Sequence, residues 1–173
     1  MASVVLLRGV NVGGHKTFKP ARLVQDLKHL GAVNIGAAGT FVIRKTVSQS
    51  TLRAEFARRL PFEAEIIIVP AGEFSRLLSG DPYVDYPQRP DTTRFVSVLA
   101  RLPRSTPSLP AVFPPSGKWL LQVLSRDRRF VFGVYRREVK AIGYLATVDR
   151  MFGVTVTTRN WNTIAAIAKV LES

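Results

Sequence analysis

An α+β fold is what the sequence predicts, and three observations predict it. A chain of 173 residues with 46% hydrophobic and 21% charged side chains has the composition of a folded chain in the single-domain size range. Up to Gly80, short runs rich in valine and isoleucine alternate with stretches whose leucines recur at helical spacing. Past the middle, two strand-like runs flank a tight turn, which makes a hairpin and hence an antiparallel pair.

Residues 3–7 are a short valine-rich run followed by a glycine-studded turn, so they read as a buried, central first strand. Leu23, Leu27 and Leu30 then recur at i, i+4 and i+7; Pro20 suits a first helical position and Gly31 a left-handed stop. A strand is expected at 40–45, a helix at 50–60 burying Leu52, Phe56 and Leu60, a strand at 65–69 and a short helix at 71–78. Residues 83–89 form a loop with Pro82, Pro87 and Pro90 around it, and residues 93–102 a fourth strand.

Five prolines, at 103, 107, 110, 114 and 115, exclude a regular helix or a central strand from the next stretch. The expected organisation is therefore an N-terminal half at 1–102, a proline-rich connection at 103–116 and a C-terminal half at 117–173. In the latter, 119–125 and 129–135 pair across an Arg126-Asp127-Arg128 turn, with Phe130, Phe132 and Val134 alternating on one face. A helix at 142–152, a strand at 154–157 and a closing helix at 161–171, with Ile164, Ile167 and Leu171 inward, complete the chain.

Composition removes several classes of function. With no cysteine, disulfides, thiolate metal sites, iron–sulfur clusters and cysteine nucleophiles are excluded. His15 and His29 are the two histidines, and no spaced set of them makes a metal site, so no metal and no cofactor is expected. No apolar stretch approaches the roughly 20 residues of a membrane span and no charged leader opens the chain, which points to a cytoplasmic protein without a membrane partner. The formal charge is +13, with Lys plus Arg at 25 against Asp plus Glu at 12. It is concentrated in the flanks: residues 1–60 carry ten basic and two acidic side chains, residues 61–100 three and six, residues 101–173 twelve and four. Two basic flanks point to an anionic ligand or a nucleic acid as partner. No oligomeric state is assigned.

The run Val4-Val5-Leu6-Leu7-Arg8-Gly9-Val10-Asn11-Val12-Gly13-Gly14 and the run Thr157-Thr158-Arg159-Asn160-Trp161-Asn162-Thr163 resemble the two signature segments of a bacterial family, domain of unknown function 1697. The resemblance implies two ferredoxin-like halves, with helices packed on antiparallel or mixed sheets, and no established biochemical activity. The chain departs from the family in two tracts. Ala37-Ala38-Gly39-Thr40 stands where members typically show Gln-Ser-Gly-Asn, and Lys140-Ala141-Ile142-Gly143-Tyr144-Leu145 where they tend to carry a Gly-x-Gly-Arg-Ser-Lys-like turn.

The first signature loop, ending in His15-Lys16-Thr17, invites comparison with a phosphate-cradling P-loop, but its register is wrong. The lysine of such a loop directly follows the second glycine and starts the helix, whereas His15 intervenes here and Pro20 delays the helix. A softer anion nest remains, built from Arg8, Asn11, Gly13, Gly14 and Lys16 with His15 nearby; the same glycines also serve a tight chain crossing. In the second segment Asn160 or Thr158 can cap the closing helix, and Arg159, Asn160 and Asn162 stand where its N-terminus attracts an anion. Arg126, Arg128, Arg129, Arg136 and Arg137 surround the hairpin aromatics as in sheets that hold single-stranded RNA, though alternation also makes Phe130 and Phe132 core residues. Asp81, Asp85 and Asp91 share a loop and serve turn chemistry more readily than magnesium.

The function expected is a non-catalytic module for an anion, a phospholigand or nucleic acid. The alternative is an enzyme on a small phosphorylated or carboxylated substrate, clamped by Arg8 and Arg159 and oriented by Asn11 and Asn162. A protein partner with an acidic face is a third use of the same charge.

Overall fold

A computed structural model describes residues 2–10, 14 and 16–173. The chain divides into two units, Met1–Gly80 with Asn162–Ser173, and Asp81–Trp161.

The first unit runs β1 (Ser3–Arg8), α1 (Pro20–Asp26), β2 (Ala32–Ile35), β3 (Thr40–Ile43), α2 (Gln49–Arg59), β4 (Glu65–Pro70) and α3 (Ala71–Leu77). Its sheet has the order β2-β3-β1-β4 with every neighbour antiparallel, which is the split β-α-β ferredoxin-like topology. Local chemistry sets the helix ends. Pro20 opens α1, a single 3-10 turn (Lys28–Leu30) continues it, and Gly31 stops it at φ +66°, where a residue without Cβ is at ease. Ser48 caps α2, its Oγ accepting the Thr51 N–H at 3.2 Å. Val5, Leu7, Phe41, Ile43, Ile66 and Ile68 form the core face, covered by Leu23, Leu27 and Leu30 on one side and Leu52 and Phe56 on the other. The alternate residues Val4, Leu6, Val42, Ile67 and Val69 are buried too, so these strands read as continuous apolar runs. The expected central place of the first strand is observed. The edge strand β2 was not expected, since its four residues are only half-buried and carry Asn34 within them.

The second unit runs β5 (Thr92–Leu99), β6 (Ala111–Phe113), β7 (Leu121–Asp127), β8 (Phe130–Arg136), α4 (Val139–Gly143), α5 (Leu145–Phe152) and β9 (Val156–Asn160), with sheet order β6-β7-β8-β5-β9, all antiparallel. Set β6 aside and β7-β8-β5-β9 repeats the order β2-β3-β1-β4, so β5 holds the place of a first strand. The crossover from β5 to β7, helical in the first unit, is here the proline-rich stretch, which adds the short edge strand β6 instead. The division between units consequently falls after Gly80, whereas the proline-rich segment at 103–116 lies inside the second unit. Local pattern hides this, because β5 finds its partners β8 and β9 downstream.

The hairpin is present with its turn shifted. Asp127 pairs with Phe130, leaving Arg128 and Arg129 as the two turn residues, with Arg128 at φ +54°. The helix expected at 142–152 is two, α4 and α5, meeting at Tyr144. On one face of the sheet Phe95, Leu121, Val123 and Val131 pack with Val148 and Phe152 of α5. On the other face Val96, Val98, Phe130, Phe132 and Val134 are buried, as alternation predicts for the last three.

The last helix, α6 (Trp161–Glu172), groups from Asn162 onward with the first unit. Ile164 and Ile167 are buried as expected, while Leu171 is half-buried. Its end is tied just past β3, where the Arg44 guanidinium donates to the Ser173 carbonyl at 3.1 Å and to its Oγ at 2.8 Å.

Candidate anion-binding site

The antiparallel register brings the end of β1, the β2–β3 turn and the start of β4 to one edge of the first sheet. Arg8 lies directly opposite Glu65 and pairs with it at 3.7 Å. Beyond it the backbone takes left-handed conformations at Gly9 (φ +69°), Gly14 (φ +78°) and Lys16 (φ +47°), and all three are exposed. Val10 between them is buried and anchors the loop. Asn11, Gly13 and His15 lie outside the described residues. Gly39 sits at the foot of this loop: a Cβ there would stand 2.7 Å from Val10 Cγ2 and 2.8 Å from Leu7 Cβ, and its carbonyl accepts the Leu7 N–H at 2.8 Å. The Ala37-Ala38-Gly39-Thr40 turn therefore packs beside the end of β1 and Val10.

The second signature segment begins on β9 of the second unit. Arg159 is buried there, and its Nη1 donates to Thr157 Oγ1 at 2.7 Å and to the Thr158 carbonyl at 3.0 Å. Burial pushes its pKa down to about 10, which leaves it a cation at neutral pH. The Thr158 hydroxyl meets that of Ser97 across β5–β9 at 2.6 Å. Asn160 is the exposed last residue of β9, and Asn162 is exposed on α6. Trp161 rests its ring edge-on to Tyr83 at 5.2 Å.

The five hairpin arginines do not form one cluster. Arg126, Arg128 and Arg129 sit at the β7–β8 turn, whereas Arg136 and Arg137 lie at the far end of β8, about 20 Å away for a strand of that length. Arg136 and Arg137 are committed locally. Arg136 stacks over the Trp119 ring at 4.1 Å and reaches Asp91 at 3.2 Å, and Arg137 donates to Thr93 Oγ1 at 3.1 Å. At the turn, Arg129 Nε donates to the Leu99 carbonyl at 3.0 Å, and Arg126 Nη2 to Thr106 Oγ1 at 2.6 Å. With Phe130 and Phe132 buried, neither ring is presented for base stacking.

Three arginines that the sequence did not single out stand at the same end of the second sheet as that turn. Arg101 and Arg104 follow β5, Arg150 is in the last turn of α5, and together with Ser105 and Gly153 they line a cleft of about 490 Å³. The walls are tied together by the Ala100 N–H donating to the Thr155 carbonyl at 2.8 Å and by the bonds from Arg126 and Arg129. All three guanidiniums are exposed, none has a salt bridge or hydrogen bond among the described residues, and no carboxylate lines the cleft. The C-terminal end of α5 favours a cation beside it, but one suffices for that role.

The other expectations are local. Asp81 Oδ1 accepts the Tyr83 N–H at 2.8 Å, as turn chemistry requires, and His29 approaches Glu55 at 3.7 Å from an exposed position. Among the described residues no group of three or more His, Asp or Glu side chains is placed to hold a metal ion, and no helix is long and apolar enough to cross a membrane.

The model of a family described as protein of unknown function (DUF1697) matches residues 1–113. The chain belongs to this family. Within DUF1697 the match spans the whole glycine loop, and it reaches Arg101 and Arg104 but stops before the hairpin, Arg150 and Arg159. A solved structure similar over 98% of both chains is the conserved bacterial protein SP0830 from Streptococcus pneumoniae, 17% identical with a TM-score of 0.61, a likeness of fold alone. No curated protein sequence matches.

Proposed function

We propose that this DUF1697 protein is a non-catalytic module that binds a phosphate polyanion, with nucleic acid as the ligand class that fits best. The observation carrying this reading is the set of Arg101, Arg104 and Arg150 around one cleft, exposed and unneutralised, with the Arg128 side chain exposed on the adjoining turn. Guanidiniums without a carboxylate partner repel one another, and an anion relieves that repulsion; Arg presents the planar fork that phosphate oxygens accept. The glycine loop is proposed as a separate and smaller anion seat. Left-handed backbone at Gly9, Gly14 and Lys16 supports that part, since such conformations orient N–H groups into nests.

Binding of a fluorescent single-stranded oligonucleotide, followed by anisotropy against salt, tests the reading. Affinity should fall steeply with added salt, and the triple variant Arg101→Ala, Arg104→Ala, Arg150→Ala should flatten log K against log salt by about 2, from about 0.7 per lost phosphate contact. Absence of binding at low salt refutes the module; binding that ignores the triple variant moves it away from this cleft.

A further inference from the structure

At the end of the second sheet remote from the arginine cleft lies a second cavity, of about 240 Å³, lined by the aromatic residues Trp119 and Tyr86 together with Gln122, Val134, Asp85 and Arg89. Gln122 lies directly opposite Val134 in the β7–β8 register, so the two side chains share a face of the sheet. The amide of Gln122 has no hydrogen-bond partner among the described residues.

Trp119 is held through its ring and its carbonyl, and Tyr86 through its backbone. Arg136 stacks over the indole at 4.1 Å and donates from Nε to the Trp119 carbonyl at 2.7 Å, while Asp91 holds that guanidinium from its other side at 3.2 Å. The Tyr86 N–H donates to the Tyr83 carbonyl at 2.8 Å, and Arg94 donates to the Tyr86 carbonyl at 2.7 Å. Tyr83 is fully buried and its hydroxyl donates to the Phe95 carbonyl, so the loop is fastened to the sheet. A pocket held this way costs little to organise when a ligand enters.

We infer that this pocket binds a planar nitrogen heterocycle of the nucleobase type. The aromatic side chains in the lining, Trp119 and Tyr86, offer the kind of stacking surface that any such ring accepts. The primary amide of Gln122 offers an N–H donor and a carbonyl acceptor side by side, which is the pattern that reads a base edge through two parallel hydrogen bonds. The volume falls below the roughly 300–1,000 Å³ of drug-sized sites, which fits one ring system and not a dinucleotide. A free nucleoside and an unpaired base of a strand present the same chemistry. The site is separate from the arginine cleft and does not rest on the polyanion reading.

Trp119 fluorescence, read in a Trp161→Phe background, tests this directly, with the Trp119 indole N–H signal in the NMR spectrum of the unmodified protein as a second readout. Adenosine, guanosine, cytidine and uridine carry no phosphate and so bypass the arginine cleft. Saturable quenching by at least one of them, weakened about ten-fold or more in Gln122→Leu and unchanged in the Arg101→Ala, Arg104→Ala, Arg150→Ala variant, is expected. Response to an oligonucleotide but to no nucleoside, with the same loss in Gln122→Leu, assigns the base to a strand. No saturable change with either ligand, or a change that Gln122→Leu leaves intact, overturns the inference, and the anisotropy of the polyanion experiment is unaffected by that failure.

Discussion

Gly133 leaves no room for a β-carbon: one placed there would stand 2.2 Å from Phe95 Cζ and 2.5 Å from the Gln122 carbonyl. Phe95 lies directly opposite on β5, and its ring covers the gap. The overlap involves backbone as well as a core ring, so Gly133→Ala should destabilise by about 1–3 kcal/mol or more, measured as a lowered urea midpoint at unchanged slope. In the sequence Gly133 is not legible as a packing position, because its partner ring lies on another strand, out of reach of any local pattern. Glu55 makes a second residue-scale case. Partial desolvation acts to raise its pKa, but the guanidiniums of Arg58 and Arg59 and their hydrogen bonds outweigh it, and the net direction is downward from 4.5. A carboxylate with a depressed folded pKa contributes stability above its unfolded value and loses it as pH falls through the folded one. Glu55→Gln should therefore flatten the drop in melting temperature below about pH 4.5 and leave a smaller difference from the unmodified protein in acid than at neutrality.

At the scale of elements, what was legible followed periodicity and what was missed followed pairing. The helices at Pro20 and Gln49, the strands β1, β4 and β8 and the buried Leu52, Phe56, Ile164 and Ile167 all emerge from spacing within a single run. The edge strands β2 and β6 do not, because an edge strand is defined by a neighbour; β6 is also framed by the prolines at 110 and 114 that normally argue against a strand. The β7–β8 turn falls at Arg128-Arg129 and not at 126–128 as expected, because it contains no Gly or Asn to mark it. Its two arginines now have different roles. Arg129 donates to the carbonyls of both Leu99 and Ala100 at the end of β5, whereas Arg128 is exposed. Arg129→Ala leaves partly buried carbonyls without these donors and should cost about 1–3 kcal/mol, while Arg128→Ala should stay within about 0.5 kcal/mol of the unmodified protein. Equal losses in paired denaturation curves would show that the turn is held by backbone alone.

For the molecule as a whole, the candidate site was hidden for the same reason as the unit boundary. In this topology the end of the first strand, the hairpin turn and the entry to the last strand share one edge, so Arg101, Arg104 and Arg150 meet once β5 is recognised as a first strand. Counted as part of the N-terminal half, β5 sends its arginines elsewhere on paper. The same connectivity separates chain order from stability: after the second unit the chain returns to the first through α6, so the two units are not consecutive pieces of sequence. Ile164 is fully buried on that helix, and Ile164→Ala removes three carbons from a packed site at a cost of about 2–5 kcal/mol. Because α6 groups with the first unit, the loss should appear in native-state hydrogen exchange as lowered protection of β1 and β3 amides, with β5 and β8 amides less affected. Lowered protection confined to β5 and β8 would place α6 energetically with the second unit, and an equal drop in all four strands would mean that the chain opens as one cooperative body.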